Sequence, residues 1–158
     1  MACDFSSLSI PKQRKGFDRL IVVARGLTIE QAFQQCQKHF PCWKYTDRDL
    51  DVAVTTNDRN PKNGPYAIWV RDRIEADQDL EQKHIPITLL EWLLLELKYF
   101  LETGQHLDIQ NVTLCSGSRC ADGFVPGVRW DDDRLEVFWC NPVFALVGLR
   151  AREVVADA

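Results

Sequence analysis

The spacing of hydrophobic positions changes several times along the chain, and each change predicts an element. Leu20-Ile21-Val22-Val23-Ala24 is a continuous apolar run between charged residues, the pattern of a strand covered on both faces. Gly26 breaks the run. Thr28 and Gln31 then have the spacing of a capping box, which satisfies two of the open N–H groups at a helix start. Ile29, Ala32, Phe33, Cys36 and Phe40 follow at helical spacing and fall within a stripe about 100° wide, as in a surface helix with one face in a core. Pro41 ends that helix, and Cys42 to Tyr45 reads as a short extended piece.

Residues 46–64 are rich in Asp, Asn, Arg and Pro. They predict a short strand near Val52 to Thr56 and a long turn closing at Asn63-Gly64, a dipeptide that tolerates positive φ. Tyr66 to Val70 is the next strand, expected to pair with the previous one as a hairpin. Residues 71–85 are strongly charged and predict a helical turn or a loop. A second helix starts at Thr88, whose capping-box partner is Glu91, and runs to about Thr103, with Gly104 as its stop. Three strands follow, Val112 to Cys115, Val128 to Trp130 and Leu135 to Cys140, the last two joined as a hairpin around Asp131-Asp132-Asp133. Leu135, Val137 and Trp139 alternate with Glu136 and Phe138, a period of two. Leu149 to Val155 is compatible with strand or helix.

The element order β-α-β-β-α-β-β-β predicts an α+β fold: a two-layer sandwich, with two main helices on one face of a mostly antiparallel or mixed sheet of five to six strands. A ferredoxin-like split βαβ with an added hairpin is one topology this order permits. Residues 1–16 are polar and read as a flexible N-terminal arm, with 17–158 as a single globular domain. A chain of 158 residues, 46% hydrophobic and carrying five tryptophans and eight phenylalanines, is large enough to build one core without metals or disulfides.

Charge and cysteines narrow the function classes. Net charge is −4 with the signs interspersed, whereas nucleic-acid binders concentrate basic residues on one face. Nucleic acid is therefore an unlikely partner, and the densest local basic cluster is Lys12, Arg14 and Lys15, with Arg19 just beyond. Met1 to Pro11 has neither the basic start nor the apolar stretch of a secretory signal, and no apolar run reaches the roughly 18 residues of a membrane span. The expected location is cytoplasmic, with no membrane association. The six cysteines include no Cys-x-x-Cys pair and are expected to be thiols in a reducing compartment.

Several positions could carry chemistry. The second helix is apolar around most of its circumference, through Leu89, Leu90, Trp92, Leu93, Leu94, Leu97, Phe100 and Leu101, while Glu91, Lys98 and Glu102 share a narrow polar stripe. Glu96 projects about 140° from Glu91 at helical geometry, among apolar neighbours. A carboxylate there is desolvated, so its pKa rises or it finds a partner. Read functionally it is a general acid or base; read structurally it is the buried half of an ion pair with Arg71, Arg73, Arg119 or Arg129. Cys36-x-x-His39-x-x-Cys42 offers three metal ligands, with a fourth available from Cys115, Cys120 or Cys140, although Cys36 also sits in the apolar stripe, where a thiol behaves as a small hydrophobe. Cys115 to Cys120 forms a small polar segment after a strand, in which Arg119 could bind an anion and Cys120 could pair with His106 as base, or which is simply a turn. Asp47, Asp49 and Asp51 resemble the start of a calcium loop, but Val52 replaces the required glycine.

Trp69, Trp130 and Trp139 are candidates for a recognition surface, as are Trp43 and Tyr45; large aromatics equally serve as core. No cofactor motif is present. The expectation is a non-enzymatic module that binds a protein partner or self-associates. The alternatives are a small hydrolase- or transferase-like enzyme built on Glu96, Arg119, Cys120 and His106, and a nucleic-acid-associated regulator acting through the basic arm.

Overall fold

The computed structural model describes residues 5–78, 83–141 and 149–157. Strand β1 (Arg19–Val23) leads through a turn at Gly26 into helix α1 (Ile29–Gln37), then β2 (Cys42–Lys44), the short helix α2 (Leu50–Ala53), β3 (Val54–Asn57) and β4 (Tyr66–Val70). The long helix α3 (Leu89–Thr103) precedes β5 (Val112–Leu114), β6 (Ser118–Cys120), β7 (Val125–Asp131), β8 (Arg134–Cys140), β9 (Leu149–Ala151) and β10 (Val154–Val155). The class is α+β, mostly sheet with helices packed on it.

Both capping boxes form. The Thr28 side chain accepts from the Gln31 N–H and the Thr88 side chain from the Glu91 N–H, and in each case the fourth residue's side chain reaches back to the cap backbone. Gly104 ends α3 in the left-handed region at φ 72°, where a side chain would be strained. The β7–β8 hairpin also forms as the alternation predicts, with Val128 opposite Val137 and Asp131 opposite Arg134.

The strands divide among three sheets. A mixed five-stranded sheet has the order β2-β8-β7-β5-β9, a three-stranded sheet the order β1-β4-β10, and β3 pairs with β6 alone. The expected hairpin between the Val52–Thr56 region and Tyr66–Val70 is therefore corrected: β3 pairs antiparallel with β6, and β4 lies between β1 and β10. The physical reason is polarity. Strand β4 buries Ala67, Ile68 and Val70 and needs apolar neighbours, which β1 supplies through Ile21 and Val23. Thr55 and Thr56 of β3 are exposed and would carry hydroxyls into that core. This division also replaces the split βαβ topology.

One contiguous core joins the layers. Phe33 and Cys36 of α1, Trp92, Leu93 and Leu95 of α3, Ile21 and Val23 of β1, and Leu135 and Val137 of β8 all belong to it. The N-terminal stretch read as flexible is anchored between Ser9 and Phe17, while its first four residues lie outside the described ones. The Trp69 indole donates to the Pro11 carbonyl at 2.8 Å. Arg14 pairs with Glu153 at 2.9 Å, and Phe17 is buried beneath the guanidinium groups of Arg14 and Arg71. A polar composition hid these anchors because only two of them, Pro11 and Phe17, are apolar. Among the described residues no helix is long and apolar enough to cross a membrane.

Candidate functional site

Helix α3 carries two fully buried carboxylates. Glu91, a member of the narrow polar stripe, is 0% exposed. It accepts from Arg59 Nε at 2.9 Å and Nη2 at 2.7 Å, from the Tyr66 hydroxyl at 2.8 Å and from the Thr88 N–H at 3.0 Å. Burial alone would lower the Arg59 guanidinium; the bonds and charge of Glu91 reverse that and raise it. Burial, then the neighbouring negative charge, push the Tyr66 phenol up. Arg59 comes from the β3–β4 loop, so no local pattern in α3 signals it.

Glu96 is also 0% exposed, as its apolar surroundings predict. Its partner is none of the four expected arginines. Oε1 lies 2.5 Å from His106 Nδ1, and Oε2 accepts the Leu107 N–H at 2.9 Å. Arg71 is instead occupied by Asp77 and Glu153, and Arg129 by Glu136. The imidazole lies flat between Phe100, at 4.8 Å between centroids, and Trp130, at 3.4 Å, with Phe40 edge-on at 5.0 Å. Burial pushes the Glu96 carboxyl up, and the bonds from His106 and Leu107 oppose the shift without cancelling it. The arrangement holds the imidazole in one orientation. It leaves the carboxylate no route to solvent, and the His106 side chain is only 14% exposed.

The expected catalytic quartet divides. Glu96 and His106 meet, whereas Arg119 and Cys120 lie on β6, opposite Thr56 and Val54. Cys120 is buried, and burial followed by the charge of Asp122 pushes its thiol up to about 11. A thiolate nucleophile requires a shift in the other direction.

The metal triad does not assemble either. Cys36 points into the core with its thiol 3.6 Å from the Leu93 carbonyl, and Cys42 sits 3.4 Å from the Phe40 carbonyl. His39 is exposed. Helix α1 ends at Gln37, so Cys36 stays on its inward face while His39 lies in the turn beyond the helix, open to solvent. Among the described residues no group of three His, Cys, Asp or Glu side chains is placed to hold a metal ion. Burial, reinforced by Glu96, pushes the Cys42 thiol up to about 12.

The three candidate tryptophans are spent on internal packing. Trp69 anchors Pro11, Trp130 stacks on His106, and Trp139 packs against the core. Trp43 and Tyr45 are exposed and form an edge-to-face pair 6.5 Å apart. A further buried pair had no sequence signal. Asp108, at φ 55°, accepts from Trp92 Nε1, Thr113 Oγ1 and the Ala76 N–H, and pairs with the buried Arg152 at 3.0 Å. Burial pushes its carboxyl up, opposed by Arg152 and these bonds. The network ties α3 to β5 and the chain end, which is a structural task.

An apolar surface feature lies where α3 meets β1. A groove of about 340 Å³ is lined by Ile21, Val22, Leu94, Leu97, Leu101 and the rim residues Lys98 and Glu102. Leu101 is 59% and Val22 36% exposed. Among the described residues β1 is an edge strand of its sheet, and Lys98 Nζ donates to its Leu20 carbonyl at 2.9 Å. An apolar groove beside a strand edge is a docking surface or an aggregation hazard.

No family model, curated protein or solved structure matches the chain. The class is thus defined by its own geometry: an α+β protein with two sealed carboxylates in its central helix and an open apolar groove beside that helix.

Proposed function

We propose that this chain is a non-enzymatic binding module that self-associates through the β1–α3 face. The observation that carries this reading is the apolar groove beside β1, an edge strand among the described residues, with Val22 and Leu101 open to solvent. The enclosure of Glu96, the separation of Cys120 from His106 and the upward shift of the thiols all weigh against a catalytic centre. Charge favours a second copy as the occupant. The rim carries Arg19 and Lys98 against Asp72 and Glu102, already paired in cis as Arg19–Asp72, Arg19–Glu102 and Lys98–Glu102. Two charges of each sign make the rim self-complementary under a two-fold axis, whereas a strongly acidic or basic partner would meet repulsion on half of it. In such a pair β1 adds to β1 of the partner and the leucines of α3 close over the seam.

The same reading treats residues 17–158 as one domain in a reducing, cytoplasmic setting, where Cys36, Cys42, Cys115, Cys120 and Cys140 stay free thiols. The nucleic-acid alternative loses support because Arg14 and Arg19 of the basic cluster are engaged by Glu153, Asp72 and Glu102.

Sedimentation velocity over a concentration series tests the proposal. The full chain is expected to sediment as a dimer at tens of micromolar, and Leu101→Glu or Val22→Glu as a monomer with an unchanged far-ultraviolet spectrum. A wild-type chain that stays monomeric throughout the series, or variants that dimerise equally well, would overturn it.

A further inference from the structure

A second cavity, separate from the β1–α3 face, lies between the start of α1, strand β3 and the loop that follows it. Its volume is about 450 Å³, within the roughly 300–1,000 Å³ of small-molecule sites. Leu27, Ile29, Val54 and Leu90 give it an apolar floor, and Thr28, Thr55, Thr56 and Asn57 line it with polar groups. Its walls are held in place before any ligand arrives. The Gly26 N–H donates to the Pro61 carbonyl at 2.8 Å, the Asp58 N–H to the Gly117 carbonyl at 2.8 Å, and Arg59 Nη2 to the Pro86 carbonyl at 2.8 Å. The loop is thereby stapled to three different segments, and such preorganisation lowers the cost of binding.

Three charged residues line the cavity, and two are already compensated. Asp51 places one carboxylate oxygen on the Ile29 N–H and the other on the Glu30 N–H, each at 3.0 Å, so the positive end of α1 is neutralised from within the chain. Arg59 is neutralised by Glu91. The third is Lys62, whose ammonium has no hydrogen bond or ion pair among the described residues. One uncompensated positive charge above an apolar floor fits one ligand class.

We infer that this cavity binds a small organic monoanion, with its charged group on Lys62, its hydrogen-bonding atoms on the threonine hydroxyls and its apolar body on Leu27, Ile29, Val54 and Leu90. A dianion would leave a charge unpaired, and a cation would meet Lys62 directly. Because the site shares no residue with the β1–α3 groove, it stands whether or not the chain dimerises.

The test is a titration of the full chain with anilinonaphthalene sulfonate, an aromatic monoanion, followed in two-dimensional amide NMR spectra. Saturable shifts are expected at Thr28, Asn57 and Lys62. Lys62→Glu should weaken binding by about tenfold, the scale of one charge-assisted hydrogen bond, while Lys38→Glu, the same charge change at the far end of α1, should leave the affinity unchanged. Thr56→Trp, which fills the mouth without altering charge, should abolish the shifts. The spectrum of each variant away from the cavity reports whether it is folded, and Lys62 is exposed enough for its substitution to be tolerated. Shifts centred on Val22 and Leu101, the absence of saturation, or equal affinity in Lys62→Glu would each overturn the inference.

Discussion

The first turn and the middle of α3 handle the same problem differently. In the first turn, Glu91 is buried against Arg59, a permanent cation that makes two bonds to it and a third to the Pro86 carbonyl. Further along, Glu96 is buried against His106, which is charged only when protonated and is held in place mainly by aromatic rings. The first carboxylate is matched by a charge that cannot be removed by pH; the second can become neutral, and its raised pKa moves in that direction. Burying two carboxylates in one apolar helix therefore produced one fixed ion pair and one titratable pair. The first behaves as a structural clasp between the β3–β4 loop and α3, and the second as part of a positioned aromatic cluster at the middle of the helix.

The comparison is broken most severely by removing the fixed cation. Arg59→Ala leaves Glu91 buried and without its counter-charge, and is expected to cost about 3–5 kcal/mol in urea unfolding. A cost within the range of an ordinary surface substitution would show that Tyr66 and Thr88 alone suffice for Glu91. The next largest effect is at the titratable pair. Glu96→Ala strips the partner from both His106 and the Leu107 N–H, at an expected cost of about 1–3 kcal/mol. Unfolding by the same method checks it, with loss of the near-ultraviolet signal of Trp130 as a second readout.

The smallest effect sharpens the contrast rather than breaking it. Glu96→Gln keeps an acceptor for the Leu107 N–H and is isosteric with the protonated carboxyl, so it should cost less than Glu96→Ala. Its value lies in pH dependence. Because the folded carboxyl titrates above its unfolded counterpart, the folded state binds the extra proton. The stability Glu96 contributes is complete below the ordinary glutamate value of about 4.3 and is lost as pH rises through the raised folded value. The stability of the wild type relative to Glu96→Gln should thus fall as pH increases from about 4. A difference that rises with pH over that window would mean that the ionised, His106-paired form dominates and that burial is not the controlling influence.

How much of this was legible beforehand follows from the range of each interaction. The burial of Glu96 was readable because helical geometry alone places it among Trp92, Leu93 and Phe100. Its partner was not, because His106 reaches it only after the chain turns back at Gly104. The burial of Glu91 was not legible for a related reason. Its role in the capping box is local and was evident, but the arginine that permits its burial is 32 residues away. Cys36-x-x-His39-x-x-Cys42 looked like a ligand set in one dimension, and the end of α1 at Gln37 parts its members, with Cys36 in the core and His39 in an exposed turn. The β1–α3 groove was foreshadowed by the nearly all-round apolarity of α3, although nothing in the pattern said which side stayed open.

By itself the amino-acid sequence determined the period-dependent features: both helix starts and the glycine stop of α3, the β7–β8 hairpin, the α+β class and the anomaly at Glu96. These depend on residues within a few positions of one another, so propensity, capping and alternation suffice. Only the tertiary structure decided that the strands split into three sheets, that β3 pairs with β6 rather than β4, that Arg59 and His106 are the partners of the two carboxylates, and that Phe17 draws the polar N-terminal stretch onto the core. Each of these is a choice among chemically similar partners far apart in the chain, and it is made by which arrangement buries the most apolar surface while leaving the fewest buried polar groups unpaired.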